Sequence, residues 1–406
     1  MLKFFIKPII NIFIIYKELN SNFNINLLII QQLDMIINSI KNNEFNNLKD
    51  QNNLFFKNNK IKIYIIIFLY LSLIMLKRKK KKIGIIGLSH GTNIGNNLLK
   101  YAIFIKLSEL GFDPYIIGFH KKNTNISFIN RTVNLRIIKN SFKEIGKDEY
   151  DVLMVNSDQT WRRSNKTNKR FYDIGFLRFA KNWNIPKFVY AASLGFDYWT
   201  FSKKDEKIAK KLLQNFTGIS VREKGSVHLI EKHLNIRPIF VLDPTLLIDK
   251  KYYLNIISNY KLNININQDF ILTYIFLKEK NTKKFIKNAS KQLGYKIFKV
   301  KKNDENSIEK FIYGMVNCKA VITNSFHGTI FSIIFNKPFI SFIFKDSPKE
   351  RLISLKETFK LGKRIVEYNQ EPLISLLTTP LNLNYTLINS LKIKSINYLK
   401  QNLRIK

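Results

Sequence analysis

Lys82-Ile-Gly-Ile-Ile-Gly87-Leu-Ser-His-Gly91-Thr-Asn-Ile-Gly95-Asn-Asn-Leu98-Leu99 is where this 406-residue chain first acquires the punctuation of a folded domain. A short β run, Lys82 to Gly87, meets a glycine loop. Asn96 to Leu110 then places Leu98, Leu99, Ala102, Ile103, Leu107 and Leu110 on one helical stripe. Strand, tight turn and helix in succession open a βαβ unit, and the pattern recurs. Further strands are expected at Asp113–Phe119, Asp151–Val155, Lys187–Ala192, Thr217–Val221 and Arg237–Leu242. A second series follows at Phe270–Phe276, Tyr295–Val300, Lys319–Ile322 and Pro338–Phe342, with helices at Thr282–Leu293 and Ser307–Cys318 between them. The fold class expected is α/β: two Rossmann-like lobes with mostly parallel sheets and a ligand cleft between them, at the carboxyl ends of the strands. An Asn- and Lys-rich break at Asp243–Asn267 separates the lobes. The expected organisation is a leader over 1–81, a first lobe over 82–250, a second over 265–366 and a C-terminal helical tail over 367–406.

The leader reads differently from the rest. Its residues up to Ile83 include no Gly, no Ala and one Pro, Pro8. A signal peptide lacks its small-residue cleavage site here. Ile63 to Leu76 is apolar for only about 14 residues, short of the ~20 that a spanning helix needs. The expectation adopted is that Met75 is the true start and that residues 1–74 are not translated. The second reading is a peripheral helix with the basic run Lys77–Lys82 against the anionic inner membrane face.

Hydrophobic residues at 45% and aromatics at 13% are a globular composition. The formal net charge of +39 raises the question of nucleic acid. Lys is, however, spread along the whole chain together with Asn and Ile, with no binding stripe and no recognised module, so no nucleic-acid partner is expected. A basic surface still favours anionic ligands. The single cysteine, Cys318, permits no intrachain disulfide, which suits a cytoplasmic location.

Six strand ends carry the chemistry. The glycine loop does not follow the G-x-G-x-x-G spacing; taken alone it reads first as a tight strand-to-helix turn, and second as an anion cradle. Asn156-Ser157-Asp158-Gln159-Thr160-Trp161 follows a buried strand, where Asp158 suits a base and Trp161 a sugar-stacking ring, or alternatively a helix cap and a core ring. Ala192-Ser193-Leu194-Gly195 is a further tight turn. Ser220-Val221-Arg222-Glu223 offers a bidentate holder for phosphate or carboxylate, although lone Arg–Glu pairs are usually structural. Leu242-Asp243-Pro244-Thr245 reads as a structural turn. Asn324-Ser325-Phe326-His327-Gly328-Thr329 enters the apolar helix Ile330–Phe335, with Asn324 and Ser325 capping and His327 in the first turn: an anion site beside a titratable group.

In order and spacing these segments resemble the polysaccharide pyruvyl transferase family over about 280 residues, beginning at Asn93-Ile-Gly-Asn96. Asn stands at 156, where the family usually has Gly, and at 324, where Asp is frequent. The resemblance implies a GT-B-like fold and transfer of pyruvate from phosphoenolpyruvate to two sugar hydroxyls as a cyclic ketal. It implies no cofactor beyond that donor and no metal. The expected partners are phosphoenolpyruvate and a sugar or lipid-linked glycan acceptor. The chemistry assigns Arg222, Ser325 to Gly328 and Arg351 to the donor, and His327 to protonation of the enol methylene. Asp158, in preference to Glu223, takes the acceptor proton. Asn93, Asn96, Gln159, Trp161, Ser193, Asn324 and Thr329 complete the substrate contacts. Two rivals remain at this level: a GT-B glycosyltransferase using a nucleotide sugar, and a sugar-binding protein that has lost its chemistry.

Overall fold

In the computed structural model of the protein, β1 (Lys82–Ile86), α1 (Ile94–Glu109), β2 (Asp113–Phe119), α2 (Ser127–Thr132), β3 (Leu135–Ile138) and β4 (Val152–Val155) open the first lobe. They are followed by α3 (Phe171–Phe176), β5 (Lys187–Ala192), α4 (Lys203–Leu213), β6 (Gly218–Val221), α5 (Lys224–Leu234) and β7 (Ile239–Phe240). The seven strands form one parallel sheet in the order β3-β2-β1-β4-β5-β6-β7. After α6 (Lys250–Ser258), the second lobe runs β8 (Phe270–Tyr274), α7 (Lys280–Leu293), β9 (Lys296–Lys299), α8 (Ser307–Asn317), β10 (Ala320–Thr323), α9 (Phe326–Ile334), β11 (Phe339–Ile343), α10 (Glu350–Thr358) and β12 (Ile365–Glu367). Its five-stranded sheet is also parallel, in the order β12-β11-β10-β8-β9. The structure describes residues 80–404 apart from 89–90, 92, 120–126, 164–169, 259–266, 277–278, 302–303, 305 and 345–346. The leader, part of the glycine loop and part of the lobe boundary therefore lie outside the described residues. Among those described, no helix is long and apolar enough to cross a membrane.

The central strands explain themselves. β4 (VLMV) and β10 (AVIT) are buried at every position, because helices cover both faces of a parallel sheet and alternation is lost. Strands β3 and β12 were not anticipated. Each is a short edge strand, and β3 is only partly buried, so neither carries a strong apolar run. The strand expected over Arg237–Leu242 shrinks to the two residues of β7 at the other edge.

In each sheet the order reverses once, between β1 and β4 and between β8 and β10. Loops leaving such neighbours diverge to opposite faces and open a crevice at the strand carboxyl ends. The lobes share one hydrophobic cluster, in which Tyr101 of α1 meets Tyr253 of α6 with ring centroids 6.4 Å apart. Tyr253 in turn meets Phe331 of α9 at 4.9 Å.

The last helix, α11 (Tyr385–Leu403), returns to the first lobe. Tyr398 donates to the Val189 carbonyl at 2.7 Å, Ser395 Oγ accepts from the Leu242 amide at 2.9 Å, and Asn402 Oδ1 accepts from Thr217 Oγ1 at 2.9 Å. The tail thus braces β5, β6 and the segment leaving β7, from which site residues project. Truncating the buried Tyr398 ring should cost about 3–5 kcal/mol, whereas Tyr398→Phe should cost about 1 kcal/mol through the lost hydrogen bond. Urea midpoints at constant m-value read both. Equal losses in the two variants would mean that the ring is not what holds the helix down.

Candidate functional site

Five loops of the first lobe converge at the strand carboxyl ends. Asn93 caps α1, its side chain accepting from the Asn96 amide at 3.0 Å. Asn96 then donates to Asp158 Oδ2 at 2.8 Å. Asp158 follows β4 with φ at +94°, a region that L-residues avoid at a cost of about 1–3 kcal/mol. Its surroundings over-determine it. The Asp158 carbonyl accepts from the amides of Thr160 at 2.7 Å and Ser193 at 3.0 Å, while Oδ1 accepts from the Gln159 amide at 2.8 Å and from Arg222 Nη2 at 3.1 Å. The unusual backbone therefore falls at Asp158 and not at Asn156, whose Oδ1 accepts from the Ser157 amide at 2.9 Å. Arg222, at the end of β6, is buried among three carboxylates. Its Nη1 lies 2.6 Å from Asp243 Oδ2, its Nη2 reaches Asp158, and its Nε lies 3.5 Å from Glu223 Oε1.

The second lobe supplies the opposite wall. Asn324 Oδ1 accepts from the Phe276 amide at 2.8 Å, tying β10 to the end of β8 across the reversal point. Ser325 is the N-cap of α9, its hydroxyl accepting from the Gly328 amide at 3.3 Å. Asn324 thus bridges strands, and the capping falls to Ser325 alone. His327, in the first turn of α9, is 5% exposed, with Nε2 3.9 Å from Asp243 Oδ2. Two guanidinium groups lie over the Phe326 ring, Arg222 at 4.4 Å and Arg351 of α10 at 5.3 Å.

Two glycines let the lobes meet. A Cβ at Gly95 would stand 2.1 Å from His327 Nδ1, so the imidazole packs where a first-lobe side chain would otherwise be. A Cβ at Gly225 would stand 2.4 Å from Glu350 Oε1. Glu350 and Ser354 of α10 accept the Gly225 and Lys224 amides at 3.2 and 3.1 Å. The exposed amides at the start of α5, which Glu223 leaves uncapped, are satisfied from the other lobe.

Electrostatics follows from this burial. Burial pulls His327 down to about 4 from 6.5; Asp243 and Asp158 oppose the shift, and Arg222 and Arg351 reinforce it. The ring is therefore neutral at pH 7. Burial would raise Asp158, but Arg222, His327, Arg351 and the Asn96 hydrogen bond outweigh it and hold the carboxyl at about 2. Glu223 is shifted upward, burial prevailing over Arg222, Ser193, Arg351 and Ser226. Burial and the Glu223 charge raise Glu350 to about 7, against the Gly225 amide. Lys100, one turn beyond Asn96, is 2% exposed and lowered to about 7 by burial, with Asp158 opposing.

Of the residues expected from sequence, the fold brings together Asn96, Asp158, Arg222, Glu223, His327 and Arg351, with Asn93, Gln159, Ser193, Asn324, Ser325 and Gly328 around them. Two are turned inward. Trp161 is fully buried, stacked on Phe176 at 5.2 Å and donating Nε1–H to the Gly175 carbonyl at 2.7 Å, so its ring faces no sugar. Thr329 is likewise fully buried, its hydroxyl engaged with the Ser325 carbonyl at 3.1 Å and Ser341 Oγ at 2.8 Å. Three residues were missed. Asp243 is a structural turn on one oxygen, where Oδ1 accepts from the Thr245 amide and hydroxyl, and a site residue on the other. Its position at the end of a strand was the available signal. Lys100, charged within an apolar stripe, was a second signal, whereas Glu350 gave none. The carboxylates of Asp158, Glu223 and Asp243 close on Arg222, and no cluster of three or more potential ligands has metal-binding geometry among the described residues.

A family model described as polysaccharide pyruvyl transferase matches residues 93–345, more than half of the chain. No curated protein matches the sequence. Similar solved structures include the UDP-GlcNAc 2-epimerase from Methanocaldococcus jannaschii, with 13% identity, 78% of this chain and 99% of that one covered, and a TM-score of 0.48. The MnaA–UDP co-structure from S. aureus is 13% identical, covering 80% and 95%, with a TM-score of 0.46. Arabidopsis thaliana UGT89C1 complexed with UDP-L-rhamnose is 7% identical, covering 80% and 94%, with a TM-score of 0.44.

The His327 shift makes a signed prediction. A neutral buried imidazole binds fewer protons than the unfolded chain between pH 6.5 and about 4. Its contribution is complete above pH 6.5 and is lost as pH falls through that window. Relative to His327→Gln, the wild type should lose about 3 kcal/mol between pH 7 and pH 4. The comparison must be made against this variant, because Glu350, raised to about 7, opposes the wild-type slope. A pH-independent difference in urea stability would show that His327 titrates normally.

Proposed function

The chain belongs to the polysaccharide pyruvyl transferase family, and from that membership we propose that it transfers pyruvate from phosphoenolpyruvate to two hydroxyls of a sugar as a cyclic ketal, in the synthesis of a cell-surface polysaccharide. The observation that carries this reading is His327, buried in the first turn of α9 against Asp243 and Gly95 of the first lobe and kept neutral chiefly by that burial. An acid that must protonate carbon only when an anion is present belongs in such a setting.

The donor carries a carboxylate and a phosphate. Arg351 and the first turn of α9, Ser325 to Gly328, receive them, while Arg222 is largely committed to its three carboxylates and orients the set. The donor's negative charge raises the His327 pKa, so the imidazole becomes protonated as the donor binds. His327 then delivers that proton to the C3 methylene, and C2 acquires oxocarbenium character. A sugar hydroxyl adds to C2 as its proton is withdrawn, the C2–O bond to phosphate breaks, and a second hydroxyl closes the ketal. Two hydroxyl protons are released overall: one balances the proton placed on the new methyl group and the other leaves with phosphate. Asp158, held at about 2, is a poor base and fixes Arg222 and Asn96 in place. Glu223, shifted upward, is the better proton acceptor. Lys100 adds positive potential behind Asp158.

Phosphoenolpyruvate at about 100 times its Kd should stabilise the protein by roughly 2.7 kcal/mol. Arg351→Gln should lose most of that stabilisation. Arg351 is the better probe, since removing Arg222 would strand three buried carboxylates at a cost of about 3–5 kcal/mol. Stabilisation by UDP-sugars and not by phosphoenolpyruvate would overturn the reading. His327→Gln should fold and bind the donor yet lose turnover by at least about 100-fold. Phosphoenolpyruvate binding to the wild type should also take up a proton that the variant does not, visible as a dependence of the calorimetric heat on buffer ionisation enthalpy. Wild-type turnover in His327→Gln would remove the residue from the reaction.

A further inference from the structure

The catalytic cluster accounts for donor and acid but leaves the seat of the acceptor unassigned. Three large aromatic side chains are exposed among the described residues: Tyr198 at 57%, Phe276 at 42% and Tyr385 at 57%. Tyr385 begins the last helix, whereas Tyr198 and Phe276 follow the carboxyl ends of β5 and β8, on the cleft side of each sheet. Phe276 meets Tyr274 edge-on. Tyr198 instead lies stacked on Phe196, with ring centroids 5.1 Å apart and planes 29° from parallel, and the Arg162 guanidinium sits 4.8 Å from the Phe196 ring centre.

This platform is continuous with the reaction centre. Arg162 donates Nη1–H to Gln159 Oε1 at 2.8 Å, and Gln159 donates its amide to Asp158 Oδ1. Gly195, which starts the loop at a φ of +79°, lies against Gln159 and against Pro348 of the second lobe, where a Cβ would stand 3.3 Å from the Pro348 side chain. Asp197, between the two rings, pairs with Lys349 at 3.2 Å, which fixes the loop at the line where the lobes meet. The Arg162 guanidinium lies over the Phe196 ring and Tyr198 stacks on that ring, so the exposed Tyr198 ring offers the apolar face, rigidly backed. A pyranose has the complementary character, with axial C–H groups on one face and hydroxyls around its rim.

We propose that Tyr198, backed by Phe196 and Arg162, forms the acceptor subsite, on which the sugar ring lies with its C–H face against the exposed phenol ring and its hydroxyls directed towards Asp158. The proposal rests on the reading that this chain modifies a sugar, and its test separates the two. Saturation-transfer NMR on the full chain would follow methyl β-D-galactopyranoside, methyl β-D-glucopyranoside and methyl N-acetyl-β-D-mannosaminide, with phosphoenolpyruvate binding read separately as a thermal shift so that no turnover occurs. At least one should receive saturation from aromatic protons. Its apparent affinity should fall by about five- to tenfold in Tyr198→Ala, while the thermal shift produced by phosphoenolpyruvate is unchanged. Tyr198 is exposed, so this variant keeps the fold; Phe196→Ala is the second, with its urea midpoint as control. Undiminished sugar binding in both variants overturns the subsite, as does a wild type that responds to phosphoenolpyruvate but to none of the three sugars. A wild type that binds a sugar through Tyr198 but ignores phosphoenolpyruvate would uphold the platform and sink the donor assignment.

Discussion

A single buried guanidinium organises this molecule. Arg222 sits at the end of β6 with Asp243 at 2.6 Å, Asp158 at 3.1 Å and Glu223 at 3.5 Å. Taking an arginine out of water costs several kcal/mol, and only close, hydrogen-bonded partners offset it. The partners come from the ends of β4, β6 and β7, so the sheet order β4-β5-β6-β7 is what puts them within reach. Asp158 bonds at once to Arg222 and to Asn96 of α1, which carries the cluster back to the start of the lobe. Phe326, from the second lobe, has both guanidinium groups over its ring, Arg222 at 4.4 Å and Arg351 at 5.3 Å, and its π-face is attractive to each.

The cluster also determines how the lobes fit. His327 fills the space that a side chain at position 95 would occupy, and Glu350 does the same at position 225. Both contacts join a polar group of the second lobe to a helix start in the first, where backbone amides lack intrahelical partners. Closure therefore serves two ends: it satisfies amides that α5 leaves open, and it dehydrates the carboxylates and imidazole whose pKa values move as a result. Burial raises both Glu223 and Glu350 at this seam, and the Glu223 charge pushes Glu350 up further.

Much of this was legible in the chain, for identifiable reasons. Central strands such as β4 and β10 announce themselves because burial on both faces demands an unbroken apolar run. Edge strands β3 and β12 do not, because solvent on one side relaxes that demand. Arg222, Asp158 and His327 were readable because each stands within four residues of the end of a buried strand, and a polar or charged residue there has few structural excuses. Trp161 misled for the same reason: it too follows a strand, but the indole turns back into the lobe to stack on Phe176. Asp243 misled in the opposite direction, since Asp-Pro explains itself as a turn and hides the second oxygen's work. Glu350 was invisible. It matters only through a contact with Gly225, which lies 125 residues earlier in the chain, and no local pattern encodes such a meeting.

The low pKa of His327 looks at first like an argument against its being an acid. On the reading proposed, it is the opposite. Burial keeps the imidazole from holding a proton at pH 7, and Arg222 and Arg351 reinforce it while Asp243 and Asp158 oppose. A donor bearing carboxylate and phosphate changes that balance at the place where it binds, since each nearby negative charge favours the imidazolium in a site of low dielectric. The acid is then charged only when there is an enol to protonate. An acid with an ordinary pKa in an open site would hold its proton part of the time whether or not donor was present, and water would reach the cation that it forms. Burial thus makes the proton conditional on the donor, and the two-lobed architecture is what makes the burial.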